Sequence, residues 1–393
     1  MDRPALTGTP RRLVSDRAGR EPNTADVVVV GAGLAGLQCA RLVAEAGLDV
    51  VLLDRKEDVG ERVHTTGIFV RKSLEDFPLP PSCLGPPVRR AVLYSPARRA
   101  LSLSSRHDEF RVGRMAALYR ELLDRCLEAG VRFVSGARYR ASRRVARGVV
   151  AEVERDGRPL NWETRLLVGA DGANSQVARD LGLDSNTEWL VGVESVHSGV
   201  PVADGVALHC FLDPRIAPGY LAWVVQDGEE THVGVGGYPD RFHPQTALAE
   251  FTASLDGRFA LDKGRLLEQR GGRIPVNGVL RRIGTDVGLL VGDAAGAVSP
   301  LTAGGFDACL RLSRQAADVI VRRFESGDPR VLATYSGGTL RTRFWSRRWM
   351  RALLAGVRSR AAMEFVCGAL RCPPFRNLAW QVFFRRRSFP DVD

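Results

Sequence analysis

No run of apolar residues in this chain reaches the roughly 18 that a membrane-spanning helix needs. The arginine-rich stretch 1–24 has no apolar core, which excludes a secretory leader and reads as a disordered lead-in. The seven cysteines include no CxxC pair, and an odd number without an export signal points to reduced thiols in a cytoplasmic protein. Six histidines and those cysteines never fall at ligand spacing, so no metal site is expected. Internal repeats and low-complexity tracts are missing as well. Acids all but vanish between Arg341 and Arg387, where twelve arginines stand against Glu364 alone. That stretch carries a net charge of +11, equal to that of the whole chain, so the remainder is balanced. Its arginines are interleaved with Trp345, Trp349, Phe375, Trp380, Phe383 and Phe384, a mixture that suits an anionic membrane surface. Nucleic acid and a plain solvated helical face are the competing readings. We expect peripheral membrane contact, at the inner face of the membrane, through residues 341–387, and no nucleic acid.

What is present is glycine in three places, each after an apolar run. They are Gly31-Ala32-Gly33-Leu34-Ala35-Gly36, Gly169-Ala170-Asp171-Gly172 and Gly292-Asp293-Ala294-Ala295-Gly296. Val27 to Val30 is too short for a helix and suits a buried parallel strand. Leu34 to Ala46 has helical spacing, and Val50 to Leu53 is a second strand, completing a β-α-β unit of about 30 residues. Residues 58–110, rich in proline, read as an irregular insertion. A helix over Met115 to Ala129 and a strand over Val131 to Val134 follow. Asp156-Gly157 between two β-prone runs marks a hairpin. From Glu188 to Arg282 the spacing predicts a mainly antiparallel sheet with a helix from Pro244 to Leu255. Val287 to Val291 returns to the first sheet, Gly304 to Phe324 is a long helix, and residues 329–385 are mostly helical, broken at Pro373-Pro374.

The expected fold class is therefore α/β. A Rossmann-type nucleotide domain (25–185 with 286–328) contains an inserted β-meander; a largely antiparallel substrate domain (186–285) and a basic helical segment (329–393) complete it. Gly31 permits the strand-to-helix turn, Gly33 lets a pyrophosphate approach the backbone, and Gly36 lets the helix lie against the sheet. Leu34 and Ala35 lend N–H groups at the helix start. Asp54 ends the second strand 23 residues after Gly31, placed to accept ribose hydroxyls, with Arg55 beside it. The third segment separates FAD from NAD. Asp293 can accept from a ribityl chain, and the helix start at Gly304, Gly305 and Phe306, after Pro300, aims its amides at the flavin pyrimidine edge.

These residues resemble the geranylgeranyl reductases among the hydroxylase-like flavoproteins. Gly292-Asp293-Ala294-Ala295-Gly296 with Pro300-Leu301-Thr302 is similar to their FAD motif, and Asp171-Gly172-Ala173-Asn174-Ser175 to a second shared motif. The resemblance covers about residues 25–340 and implies that Arg114 contacts the FAD phosphate and ribose region. Ala222-Trp223-Val224 is similar to the reductases' substrate-sheet signature. The chain departs from the family at Ala303-Gly304-Gly305 and at Thr65-Thr66-Gly67, which bears on the substrate and leaves the FAD motifs intact.

The resemblance implies FAD, an apolar prenyl-type substrate, and NAD(P)H or another reductant visiting the flavin, since no second fingerprint suits a separate NADPH domain. His64 in the loop after the first β-α-β is a candidate proton donor, with a surface histidine as the plain alternative. Tyr220 and Trp223 are candidate pocket residues that equally suit sheet core. Arg62 either binds a phosphate or faces solvent. The rival functions are an FAD monooxygenase acting on an aromatic or polyketide substrate, and a non-enzymatic binder of prenylated partners. Oligomeric state stays open.

Overall fold

The computed structural model describes residues 23–384 apart from 202–204, 256, 258 and 343. The expected lead-in thus lies almost wholly outside the described residues, as do Arg343 and Arg385 to Arg387 of the basic tail. Thr24 already belongs to the first strand.

The first sheet runs β8 (Arg132–Val134), β2 (Val50–Leu53), β1 (Thr24–Val30), β11 (Arg158–Gly169), β10 (Gly148–Arg155), β9 (Arg138–Val145). Val27, Val28 and Val29 are fully buried, as a strand covered on both faces requires. β1 pairs in parallel with both β2 and β11. β11 does two jobs. Its first half pairs antiparallel with β10, closing the meander at the Asp156-Gly157 turn, and Leu167 to Gly169 pair in parallel with β17 (Gly288–Leu290). Helices α1 (Leu34–Glu45), α3 (Met115–Glu128) and α6 (Phe306–Ser326) pack their buried faces together and on this sheet; α4 (Gln176–Asp180) follows β11.

The second sheet has seven strands, in order β16 (Arg265–Pro275), β12 (Trp189–Ser198), β15 (Glu230–Gly237), β14 (Ala222–Gln226), β13 (Leu208–Phe211), β5 (Arg90–Tyr94) and β6 (Ala100–Ser104). Every pairing is antiparallel except β13 with β5. Helix α5 (Pro244–Ala253) packs beneath it on a core containing Phe211, Phe251 and Val235. A small sheet of β3 (Ile68–Val70), β7 (Phe110–Gly113) and β4 (Leu84–Val88), with α2 (Arg71–Asp76), sits beside α6.

Two expectations are corrected. Residues 58–110 are not irregular: they supply β3 to β6 and lead into β7, and β5 and β6 extend the second sheet. The prolines interrupt β4 and flank β5, yet Ala91, Val92 and Leu93 find a partner in Leu208 to Cys210 more than a hundred residues away. β16 was also not anticipated. It is an edge strand, polar and glycine-containing, and pairing with β12 along nearly its whole length holds it extended.

The C-terminal segment forms α7 (Gly338–Thr342), α8 (Trp345–Gly356), α9 (Arg360–Ala369) and α10 (Pro373–Phe384). Pro373 opens α10, where its missing N–H costs nothing. Phe384 and Ala379 bury against Phe110 and Leu93. α10 thereby roofs the β5–β6 end of the second sheet.

Candidate functional site

One cavity of about 1910 Å3 runs between the two sheets and under the C-terminal helices. Drug-sized pockets are typically about 300–1,000 Å3, so this volume exceeds what a single small ligand fills. Gly31, Gly33, Leu34 and Ala35 line it at the β1–α1 turn, and Asp54 and Arg55 at the end of β2. Asp171 lines it after β11, and Asp293 after β17. Gly304, Gly305 and Phe306 line it at the start of α6. All of these sit at the carboxyl ends of parallel strands or just beyond, where open α/β sheets hold their ligands.

The three glycines of the first turn differ physically. Gly31 has φ +105°, and a Cβ there would stand 2.3 Å from the Ala170 carbonyl oxygen. A Cβ on Gly36 would stand 1.8 Å from the Gly31 carbonyl oxygen, so α1 can approach the turn only without one. A Cβ on Gly33 would meet nothing within 4 Å: that face is open to the cavity. The Asp54 carboxylate accepts from the backbone N–H of Ala32 (2.6 Å) and of Lys56 (2.9 Å), which ties the turn to β2.

Asp171 is spent locally. Its carboxylate accepts from Ser175 Oγ (2.6 Å) and from the backbone N–H groups of Gln176 (2.7 Å) and Val177 (3.1 Å), capping α4. Asp293 contrasts with it. Its side chain is half-buried on the cavity wall beside Gly305, and among the described residues no donor or cation reaches its carboxylate. Burial pushes its pKa up to about 6.

Four expected site residues do not line the cavity: Gly36, Arg62, Arg114 and Pro300. Arg114 caps α3, pairs through Nη1 with Glu229, and leaves its Nε buried without a partner. Arg62 is exposed with φ +45°, and its carbonyl receives Lys56 Nζ at 3.4 Å. Pro300 gives its carbonyl to Arg351 Nε at 2.6 Å.

His64, Tyr220 and Trp223 all line the cavity. Partial burial, then Lys56 and Arg55, lower the His64 pKa from the ordinary imidazole value. Tyr220 donates its hydroxyl to the Thr302 carbonyl (2.6 Å) under the Arg351 guanidinium, and burial raises its pKa strongly. It braces the second sheet against the loop that precedes α6. Trp223 donates Nε1 to Glu194 (3.1 Å).

Glu194 centres a buried network that the sequence did not suggest. It also accepts from Thr66 and from Arg270 Nε (2.7 Å), and faces His232, whose other ring nitrogen lies 3.4 Å from Asp227. Burial alone would raise Glu194 and lower His232, but their mutual contacts and the Arg270 and Asp227 charges win: Glu194 falls to about 2 and His232 rises to about 9. Ligand atoms of Asp227, Glu230 and His232 lie within 4.8 Å of one another, a cluster invisible as spacing. Both nitrogens of His232 already face carboxylates, and its protonation leaves it no lone pair for a metal. A group with a raised folded pKa contributes stability fully present below its unfolded value near 6.5 and lost as pH rises through 9. We therefore expect the denaturant midpoint to fall between pH 6.5 and 9, and this slope to flatten in His232→Gln. That variant should be destabilised at pH 6.5 by on the order of 3 kcal/mol.

Sequence reading also missed Tyr119, Lys56, Arg138, Arg140 and Arg347, all on the cavity wall. Arg138 and Arg140 follow β8, the parallel strand next to β2. Their position past a strand's carboxyl end is the signal that could have found them. Beyond the loop before α6 the wall turns apolar: it is lined by Leu208 of β13, Leu221 just before β14, Met350 and Leu354 of α8, Met363 of α9 and Val382 of α10. Leu353 and Leu378 line the cavity and are also exposed, so it opens to the surface between α8 and α10.

Residues 24–342 match the family described as FAD binding domain. Digeranylgeranylglycerophospholipid reductase 1 of Methanopyrus kandleri is 32% identical over 311 residues, 77% of this chain and 82% of that protein. Geranylgeranyl diphosphate reductase of Rhodobacter capsulatus is 30% identical over 327 residues, 80% of each chain. In fold, the chain is similar to the crystal structure of a geranylgeranyl bacteriochlorophyll reductase-like protein from Thermoplasma acidophilum. The TM-score is 0.79 at 22% identity, covering 87% of this chain and 90% of that one. Joined to a nucleotide turn and an aspartate at the carboxyl ends of one parallel sheet, these matches settle the family: the chain is an FAD-dependent oxidoreductase of the geranylgeranyl reductase family.

Proposed function

We propose that this protein reduces carbon–carbon double bonds of a prenyl-type or comparably long apolar chain. The observation that carries this is the apolar half of the cavity, which continues from the nucleotide strip to the surface between α8 and α10. A chain of methyl-branched units is recognised by area alone, and such a lining supplies it.

The residues fit FAD. The open face of Gly33 leaves room for a pyrophosphate at the start of α1, where N–H groups and the helix dipole favour an anion. Asp54 and Arg55 would take the adenosine end. Asp293, half-buried and without a donor, suits the hydroxyls of a ribityl chain. The loop 299–305 and the start of α6 would hold the ring. Bound and reduced, the flavin supplies a hydride at N5. The protein's part is to exclude water with the C-terminal helices and to hold the alkene against that position with Trp223 and the apolar wall. The surroundings of His64 disfavour its protonated form and the Tyr220 hydroxyl is committed to Thr302, so neither is poised as the acid. NAD(P)H or another donor would visit the flavin transiently.

Incubating the FAD-loaded protein with prenyl lipids and a reductant, followed by mass spectrometry, tests this. Products heavier by two mass units per double bond support reduction, and products heavier by sixteen would install the monooxygenase reading in its place.

We further propose that the mouth of the cavity rests on an anionic bilayer. The exposed large apolar side chains are concentrated here: Trp345, Trp349 and Leu353 on α8, Phe365 on α9, Phe375 and Trp380 on α10. Arg348, Arg358 and Arg371 are exposed among them. No helix among the described residues is long and apolar enough to cross a membrane, so the contact would be interfacial. The protein is expected to float with phosphatidylglycerol liposomes and to stay behind with phosphatidylcholine. Replacing Trp345, Trp349 and Phe365 by Ser together should weaken flotation at least tenfold; unchanged flotation would discard this face.

A further inference from the structure

Helix α8 sends two arginines inward, one turn apart, and they are treated differently. Arg351 is engaged through all three of its nitrogens: it donates to the carbonyls of Pro300 (2.6 Å), Leu301 (2.7 Å) and Gly219. Arg347 has one hydrogen bond among the described residues, from Nη1 to Ser299 Oγ at 2.9 Å. No carboxylate among them comes within ion-pairing range; Asp307 acts only from farther away. Burial lowers the Arg347 pKa, and its remaining N–H groups open on the cavity. A guanidinium has five donors, and with a single acceptor among the described residues Arg347 keeps the others free for a ligand in the cavity.

Its location narrows the ligand. Ser299 heads the loop 299–305: its N–H donates to the Gly304 carbonyl, and its carbonyl accepts from Ala303 N–H. That loop delivers the uncapped N-terminus of α6, which begins next to the Asp293 carboxylate. A ribityl chain held at Asp293 would bring the flavin ring to this loop and to the start of α6. Arg347 adds a full charge to the partial charge of the helix end on the same loop.

We propose that Arg347 is the cavity's anion-recognition residue for the flavin, meeting the negative charge that gathers on the pyrimidine edge when the ring is reduced. It rests on the cofactor reading above and goes beyond it: the basic tail, whose charge looks like a surface feature, contributes an electrostatic element to the redox site. Arg347 favours the reduced over the oxidised cofactor, while Arg351 holds the loop in place.

The test is a spectroscopic redox titration of FAD-loaded wild type, Arg347→Gln, Arg347→Lys and Arg348→Gln, the last an exposed neighbour on the same helix. Arg347→Gln should lose about tenfold in preference for the reduced flavin, a drop of about 30 mV for a two-electron couple. Its reduced flavin should also take up a proton at higher pH than the wild type. Arg347→Lys should recover part of both, and Arg348→Gln should match the wild type. If Arg347→Gln holds FAD poorly, the lysine variant against wild type still decides, because it keeps the charge and loses the fork. An unchanged potential in both Arg347 variants overturns the proposal, as does a loss confined to binding of inorganic pyrophosphate or a prenyl diphosphate, which would assign Arg347 to the substrate headgroup. A wild-type protein that binds no FAD would instead overturn the cofactor reading.

Discussion

Gly33→Val is expected to fold normally and bind FAD ten- to a hundredfold more weakly, whereas Gly36→Ala is expected not to fold at all. The two glycines are three residues apart in one motif, yet they face opposite environments. Gly33 has ordinary extended backbone (φ −77°, ψ 179°), and a Cβ there meets no atom within 4 Å. A larger side chain costs the free protein nothing and narrows the chain's own freedom when unfolded, worth about 0.4–1 kcal/mol in its favour. The penalty falls on the ligand: side-chain carbons in the pyrophosphate path cost about 1–3 kcal/mol of overpacking, which sets the range of weakened affinity. At Gly36 the added carbon would lie 1.8 Å from a backbone oxygen of Gly31, which is itself fixed by its donor bond to the Leu53 carbonyl (2.7 Å). Nothing there can yield without moving α1 off β1. The loss should exceed about 4 kcal/mol, in the range reserved for disrupted cores. Circular dichroism shows whether Gly36→Ala folds, and chemical unfolding with flavin fluorescence titration measures Gly33→Val. A Gly33→Val protein that binds FAD like the wild type would show that no phosphate passes this turn.

Asp293→Asn should move stability and cofactor affinity in opposite directions. The Asp293 carboxyl titrates near 6 in the folded protein against 3.8 in an unfolded chain, because burial disfavours its charge. A group whose folded pKa is raised contributes stability that is fully present below its unfolded pKa and is lost as pH rises through its folded value. In the FAD-free protein this loss spans about pH 4 to 6 and amounts to on the order of 3 kcal/mol. The asparagine carries no charge and escapes it. FAD-free Asp293→Asn should therefore be more stable than wild type at pH 7.5 and lose that advantage below pH 4. For FAD the sign reverses. Ribityl hydroxyls donate more strongly to a carboxylate than to an amide oxygen, and losing that charge assistance costs about 1.5–3 kcal/mol. Wild-type FAD affinity should rise with pH through 6, while the asparagine variant should bind about tenfold or more weakly at pH 7.5 with little pH dependence. Calorimetric titration at pH 5, 6 and 7.5 follows both trends. A wild-type affinity flat across that range would mean that Asp293 meets no hydrogen-bond donor of the cofactor.

Much of the nucleotide half was legible because its signals are local. Val27 to Val30, the turn glycines and Asp54 lie within one β-α-β unit, where spacing alone fixes which groups meet. The strand that leads to Asp293 announces itself by its apolar run, and the Asp156-Gly157 turn pairs its own neighbours. Motif position did not give side-chain direction, however. Arg114 begins α3 as anticipated but turns to Glu229, a residue from the loop between β14 and β15, and Asp171 spends its carboxylate on α4.

The substrate half was read less well, for a physical reason that recurs. β5 and β6 exist because β13 offers them an edge, and Glu194 is stabilised by Thr66, Trp223, Arg270 and His232 from four different segments. Neither is encoded in the periodicity of the residues concerned. The tail shows the same limit most sharply. Its composition predicts an evenly basic surface, but Arg347 and Arg351 turn inward to the loop 299–305, and Arg360 pairs with Asp213.

The sequence by itself determined the nucleotide fold, the class of cofactor and the family, since each rests on contacts between residues near in the chain or on the steric demands of single glycines. Only the tertiary structure decided which charges are buried, where the apolar channel runs and which face of the C-terminal helices is free. Those depend on desolvation and on partners supplied by distant strands, quantities that no local pattern records.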